Sequence, residues 1–438
     1  MRVMKFGGTS IANAERVRCV TQIVSDARAA KPIVVVSALA GVTDALVAFA
    51  AEGSKQGKLK ILSTVRQRHT EILKDLGLDA SLLDAEFKGL ETFVKKSAVI
   101  NKKSLDLILS FGERLSAPLI ACVLTQTGIP ARAYYAWDIG LITDTRFGAA
   151  ELLDTSYALI KKKITALDVV PVVTGFIGKT KSGDITTLGR GGSDYTAAII
   201  GAAVHAEVIQ IWKEVGGFMS ADPRIVPAAR VVPELAFEEA SELAYFGAKV
   251  LHPRTILPAM RAGVPVQVLN TFDPLAKGTT VVANFAERRE KSDSVDAITF
   301  KKKCIAVHVR SPEFFDGNGL MARIFNVFEK HDTNIDIVAI SVACMSVVIG
   351  DDEFLERIVR ELSRLGQVTV ERNKGIVCAV GGSLNAAGMA GRMFTSLGEK
   401  RIPVEMISQA AEGVSITFVL AEGDAEKALQ ALHKEYIR

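Results

Sequence analysis

The chain has 438 residues, 49% of them hydrophobic and 23% charged, with a formal net charge of +4. That length exceeds one ordinary core and implies two or three domains, while interspersed acids and bases leave no basic face for nucleic acid. Neither nucleic acid nor membrane is expected as a partner: the N-terminus MRVMKFGGTSIANAER lacks an apolar signal core, and the most apolar stretch, residues 115–131, is broken by Ser, Gln, Thr and Pro.

In chain order, VMKFGG predicts a strand entering a glycine turn, then a helix carrying Val17, Val20 and Val24, then a buried strand in PIVVVSALAG. Lys5 falls at the carboxyl end of the first strand, the ligand side of an open α/β sheet. It is either a phosphate-neutralising cation or a solvated edge lysine. Gly7 and Gly8 can turn N–H groups toward an anion, with Ser10 as the helix cap. Cys19 and Cys122, like Cys304, Cys344 and Cys378 later, belong to no CxxC pair. They suit buried thiols in a reducing, cytoplasmic setting, with no metal site implied.

Further strands are predicted in DVVPVVTGFIG (168–178), EVIQIW (207–212) and VPVQVLN (264–270). Apolar runs without polar alternation, separated by helices, define an α/β fold: a three-layer, mainly parallel sheet. GFIGKT (175–180) ends like a Walker A loop, but the first glycine of that motif would fall on Val173 inside a strand, so a P-loop is excluded. The segment ITTLGRGGSDYTAAIIGAA (185–203) places Gly189, Gly191 and Gly192 in one turn, with Ser193 or Asp194 as N-cap of a following helix. Such a turn attracts anions, and it also has a purely structural explanation as a tight strand-to-helix connection.

Residues 284–297, NFAERREKSDSVDA, are charged and unpatterned and are taken as a linker after a 1–283 domain. The 298–438 tail then repeats a unit of strand, glycine turn, helix and two strands, with Phe325 and Phe394 in matching places. Both units predict βαββαβ modules, about 304–373 and 374–438, the second completed by an edge strand at 298–302. On their apolar helix faces stand Met321, Ile324, Phe325 and Phe328, and then Ala390, Met393, Phe394 and Leu397.

KFGGTS, VVSALAGVTD, SFGERLSA, TTLGRGGSDYTAA, ADPR and GAKVLHPRT, in that order, resemble the signatures of the aspartate kinases of the amino-acid kinase family. The terminal modules resemble paired ferredoxin-like ACT domains, so the likeness spans essentially the whole chain and looks monofunctional. It implies phosphorylation of the L-aspartate side-chain carboxylate by ATP with Mg²⁺, giving 4-phospho-L-aspartate on the route to lysine, threonine and methionine. By this resemblance Lys5 is the transition-state lysine, Lys249 holds the β/γ oxygens with Mg²⁺, and Asp194 orients the lysines; an N-cap role for Asp194 is the structural alternative. Arg190 grips the substrate α-carboxylate bidentately, Glu113 pairs its ammonium, and Ser37 and Thr43 supply hydroxyls. Nucleotide contacts are assigned to Gly7, Gly8, Ser10, Met219 and Arg224. Relatives carry Trp-Thr-Asp-Val-Asp-Gly where this chain reads Trp212, Lys213, Glu214, Val215, Gly216, Gly217, so Lys213 and Glu214 are placed at the nucleotide with altered local charge. An effector amino acid, lysine first, is assigned to Gly319, Leu320, Asp336 and Ser341, in a homodimer or higher oligomer built through the ACT modules. Relatives that bind lysine often have Ser-Glu where Ser341-Val342 stands here. A kinase for another small amino acid such as glutamate and a silent amino-acid sensor are the alternatives.

Overall fold

The structure is a computed structural model and describes residues 1–94, 100–247, 250–283, 295–314 and 319–437. The chain divides into two compact units, Met1–Phe218 with Pro233–Phe237 and Val250–Asn284, and Met219–Val232 with Glu238–Lys249 and Phe285–Arg438.

The first unit runs β1 (Arg2–Phe6), α1 (Ala14–Asp26), β2 (Pro32–Val36), α2 (Val42–Ala51), α3 (Lys55–Asp75), α4 (Asp84–Val94), α5 (Lys102–Gln126), β3 (Ala131–Tyr134), β4 (Ile142–Thr143) and α6 (Thr155–Thr165). It continues with β5 (Val170–Thr174), β6 (Ile177–Thr180), β7 (Ile185–Thr187), α7 (Gly192–Val204), β8 (Val208–Lys213) and β9 (Glu234–Ala236). After α8 (Phe237–Phe246), most of which belongs to the second unit, come α9 (Pro253–Arg261), β10 (Val266–Asn270) and β11 (Thr279–Val282). The main sheet has the order β3-β5-β2-β1-β8-β10-β11-β9 and is parallel except for the β10–β11 pair. Alternation of side chains across a strand explains its two covered faces. Met4, Phe6, Val34 and Val36 join the core formed with α1 to α5, while α7 lies over β1 and β8, where Gly201 admits Ile209 and Val3. Helix α5 has the length and hydropathy to cross a bilayer, although its sequence gave no such span; it is a largely buried core helix.

Three local expectations change. Residues 168–178 form two strands separated by Gly175 and Phe176, whose φ of 66° turns the chain out of the main sheet. The cap of α7 is Gly191 in a left-handed conformation, so Ser193 and Asp194 lie inside the first turn. Ser10 belongs to a short 3-10 turn, and Asn13 caps α1 by accepting the Arg16 N–H. The two helices start differently, α1 with a side-chain acceptor on Asn13 and α7 with a glycine at positive φ and no side-chain cap.

The second unit runs β12 (Val295–Arg310), α10 (Leu320–Lys330), β13 (Ile335–Ser341), β14 (Cys344–Ile349), α11 (Leu355–Leu362), β15 (Gln367–Gly381), α12 (Met389–Glu399), β16 (Met406–Gln409), β17 (Ser415–Ala421) and α13 (Ala425–Tyr436). Its antiparallel sheet has the order β13-β14-β12-β15-β17-β16. The two long strands each serve both βαββαβ modules. Residues 305–310 of β12 pair with β14 and 306–310 with the first part of β15, whereas Ile298 to Lys301 pair with Ala379 to Ile376. Residues 295–297, taken from sequence as the end of a linker, open this strand; 284–294 lie outside the described residues. Segment 219–232 also belongs to this unit, with Ala221 and Val226 in the core beside Phe418 and Leu429 and Ser220 Oγ 3.0 Å from His433 Nε2. Of the apolar face expected on α10, Ile324 and Phe328 are buried but Met321 and Phe325 are 44% and 39% exposed; Phe394 on α12 is 41% exposed.

Candidate active site

The carboxyl ends of the parallel strands meet the first turn of α7 around an open cavity of about 580 Å³. Lys5, Ser37, Thr43, Glu113, Arg190 and Asp194, named from sequence at scattered positions, all line it. The register explains part of this: Lys5 lies opposite Val35 on one side and Ile211 on the other, one residue before β1 ends.

Asp194 is the centre of charge. Its Oδ1 is 2.6 Å from Lys5 Nζ and its Oδ2 is 3.0 Å from Lys213 Nζ, with the Lys5 and Asp194 side chains only 7% and 8% exposed. Burial alone would raise the carboxyl, but the two ammonium groups outweigh it and hold Asp194 below the usual range. Burial lowers Lys5, reinforced by the charge of Lys213 and opposed by Asp194. Lys213, expected at the nucleotide, instead donates to Asp194 and, at 2.5 Å, to the Val250 carbonyl.

Glu113 is 3% exposed on α5 and accepts the Ala38 N–H through Oε1 at 3.0 Å, while Oε2 has no hydrogen-bond partner among the described residues. Burial pushes its carboxyl up to about 8, with Lys5 working against the rise. Arg190 is exposed at the tip of the turn between Gly189 and Gly191, at φ 77° and 70°. Sequence reasoning missed Asp106, which is 1% exposed. Its Oδ2 accepts the Gly148 and Thr187 N–H groups, each at 2.9 Å, and its Oδ1 accepts the Thr187 hydroxyl. It thereby ties the end of β7, just before the arginine turn, to α5. The available signal was the spacing: Asp106 and Glu113 stand two helical turns apart in an otherwise apolar run, so both acids share one face.

Other expected contacts are used within the protein. The Gly7 N–H donates to the Trp212 carbonyl at 3.3 Å, and Ser10 Oγ is 2.7 Å from Thr271 Oγ1. A Cβ on Gly8 would stand 2.4 Å from the Ala38 carbonyl oxygen, so this glycine is required by the close approach of the β2 loop. Glu214 is exposed just past β8. Met219 and Arg224 fall in the second unit, where Met219 bridges Val231 and the Arg224 guanidinium is held by Asp222 at 2.6 Å. Lys249 lies outside the described residues.

In the second unit Gly319 caps α10 at φ 76° and Leu320 is buried. Asp336, expected to await a ligand ammonium, is already engaged. Its carboxylate, 1% exposed, receives Lys301 Nζ at 2.8 and 2.6 Å and the Tyr245 hydroxyl at 2.7 Å. Ser341 donates to the Cys344 carbonyl at 3.3 Å, and its place at the far end of the same strand puts it about 16 Å from Asp336. One small ligand cannot touch both within one copy.

Among the described residues no group of three His, Cys, Asp or Glu is placed to hold a metal ion. The carboxylate at the centre of the cavity has both oxygens on ammonium groups.

A mainly parallel α/β sheet with a lysine-carboxylate cluster at its strand ends fits a phosphotransferase, and the amino acid kinase family model matches residues 1–270. An ACT domain model matches residues 377–436. Aspartokinase 1, chloroplastic, of Arabidopsis thaliana is 35% identical over 457 residues, covering 99% of this chain and 80% of the relative. Among solved structures, E. coli aspartokinase III in complex with aspartate and ADP superimposes with a TM-score of 0.83 at 30% identity, and the same enzyme in complex with lysine and aspartate with 0.81 at 31%, each covering all of both chains. The chain belongs to the amino acid kinase family, and within it to the aspartokinases.

Proposed function

We propose that this aspartate kinase transfers the γ-phosphoryl group of ATP to the side-chain carboxylate of L-aspartate in the cavity between β1, α5 and the arginine turn. The observation that carries the reading is the convergence on one cavity of a buried lysine-carboxylate cluster, an exposed guanidinium and a buried carboxyl with an unpartnered oxygen. Arg190 suits the α-carboxylate, because its planar fork gives two parallel hydrogen bonds. Glu113 suits the α-ammonium through Oε2. That arrangement leaves the side-chain carboxylate toward Lys5. The nucleophile needs no general base, since it is ionised at neutral pH. Catalysis then consists of positioning and of neutralising charge as two anions approach, which is the work of Lys5. Mg²⁺ is assigned to the substrate MgATP, held by phosphate oxygens, since the described residues form no carboxylate cage.

The product, an acyl phosphate, suits the first step toward lysine, threonine and methionine, and the ACT region suits feedback by an amino acid. Lysine is the first choice, because the relative of known structure that binds it aligns over the whole chain. The exposed Ile340 on the end strand of the second unit and Val342 in the turn after it support assembly of copies through that unit. Acyl phosphate trapped as hydroxamate, across a panel of amino acids with ATP, tests the reading. Aspartate should give product; glutamate in its place would redirect the substrate assignment, and no product with any acid would refute it.

A further inference from the structure

Lys213 ends β8 and reaches back into the lysine-carboxylate cluster. Its Nζ has two fixed acceptors, Asp194 Oδ2 at 3.0 Å and the Val250 carbonyl at 2.5 Å, and an ammonium has three donors. Without it, Lys5 and Asp194 would form a closed pair of zero net charge. Such a pair presents little potential to an incoming polyanion. With two ammonium groups on one carboxylate the cluster carries a net positive charge, in a place where the Lys5 and Asp194 side chains are less than a tenth exposed and solvent screens poorly. The Val250 carbonyl fixes Lys213 from a second element, so this charge is positioned before any ligand arrives.

We propose that Lys213 is a positioning residue for phosphoryl transfer: by sharing Asp194 with Lys5 it keeps the Lys5 ammonium uncompensated toward the nucleotide phosphates. This rests on the role given to Lys5 above. It differs from a direct nucleotide contact, and it differs from a purely structural tie between β8 and the segment before α9.

Among the described residues the charged groups facing Lys5 are Asp194 from α7, Lys213 from β8 and Glu113 from α5. Lys213 lowers Lys5 through charge repulsion, so removing it lets the Lys5 ammonium hold its proton to higher pH. The test compares Lys213→Met, which removes the charge and keeps most of the stem, with Lys213→Arg, which keeps the charge. Lys5→Met is measured in parallel, and thermal melts and ADP binding establish that each variant is folded. The basic limb is read in kcat at saturating aspartate, where Glu113 is already engaged by substrate.

Lys213→Met is expected to lower kcat by about tenfold or more, to leave the aspartate KM within about twofold and to move the basic limb upward. Lys213→Arg should restore the limb and most of kcat. A structural tie would lower the melting temperature and kcat together, leave the limb in place and ignore the charge of the replacement; that outcome overturns the proposal. Near-normal kcat in Lys213→Met, with kcat collapsed in Lys5→Met, overturns it alone. Near-normal kcat in Lys5→Met overturns the reading of the site itself.

Discussion

At the scale of single residues, the most distinctive group is Glu113, a buried carboxyl raised to about 8 with one oxygen free. In the free enzyme it holds its proton below that pH, whereas an aspartate ammonium would pair with its ionised form. Substrate binding below pH 8 therefore releases a proton, and kcat/KM for aspartate should climb by up to about tenfold per pH unit between 6 and 8 and flatten above. Glu113→Gln should abolish that limb and raise the aspartate KM; a wild-type profile flat from pH 6 to 9 contradicts the assignment. The sign for stability follows from the same shift. The folded state binds this proton more tightly than the unfolded chain, so the contribution is present at low pH and is lost as pH rises from 4.5 toward 8. Lys5 and the glycine turn around Arg190 were legible from their places at a strand end and before a helix, while the roles of Arg190, Glu113, Ser37 and Thr43 came from the resemblance to the aspartate kinase motifs. The side-chain pairings were not legible: nothing in the order of the chain says that Lys213 ends a strand beside Asp194 or that Asp336 is already held by Lys301, because those pairings are set by tertiary register.

At the scale of elements, the strand ends and the turn before α7 make the site. Strand existence was legible from unbroken apolar runs, and the glycines of the arginine turn from their sequence alone. Helix starts were misplaced, because Gly191 takes the cap position of α7 at a positive φ and Ser193 and Asp194 fall inside the first turn. The element that holds the turn in place is α5, through Asp106. Asp106→Asn keeps the size and exchanges one acceptor for a donor facing N–H groups, so it should loosen the path from β7 to Arg190. The expected result is an aspartate KM raised by about five- to a hundredfold, the order of about 1–3 kcal/mol for an unsatisfied buried group, with ATP KM much less affected. Equal rises in both constants would show that Asp106 supports the fold generally rather than the arginine turn.

At the scale of the whole molecule, the kinase unit and the ACT unit are separate cores joined by more than one crossing of the chain, and the second takes segments 219–232 and 238–249 as well as the tail. That division was not legible, since the segment holding Ala221 and Val226 has no pattern naming its partner core. The regulatory reading turns on Asp336. If an effector ammonium binds there, it must replace Lys301, whose side chain is 31% exposed, on a carboxylate that is only 1% exposed and so needs a cation in its place. Lys301→Met should then make inhibition by lysine set in at lower concentration, and Asp336→Ala should remove it. Inhibition unaltered in both variants would place the effector elsewhere.

The central claim is that aspartate binds between Arg190 and Glu113 and accepts a phosphoryl group beside Lys5. Hydroxamate formation against aspartate concentration, at saturating MgATP, for wild type and Arg190→Lys tests it most directly. A point charge in place of the fork should raise the aspartate KM by about tenfold or more while most of kcat is kept. An aspartate KM unchanged in folded Arg190→Lys would contradict it.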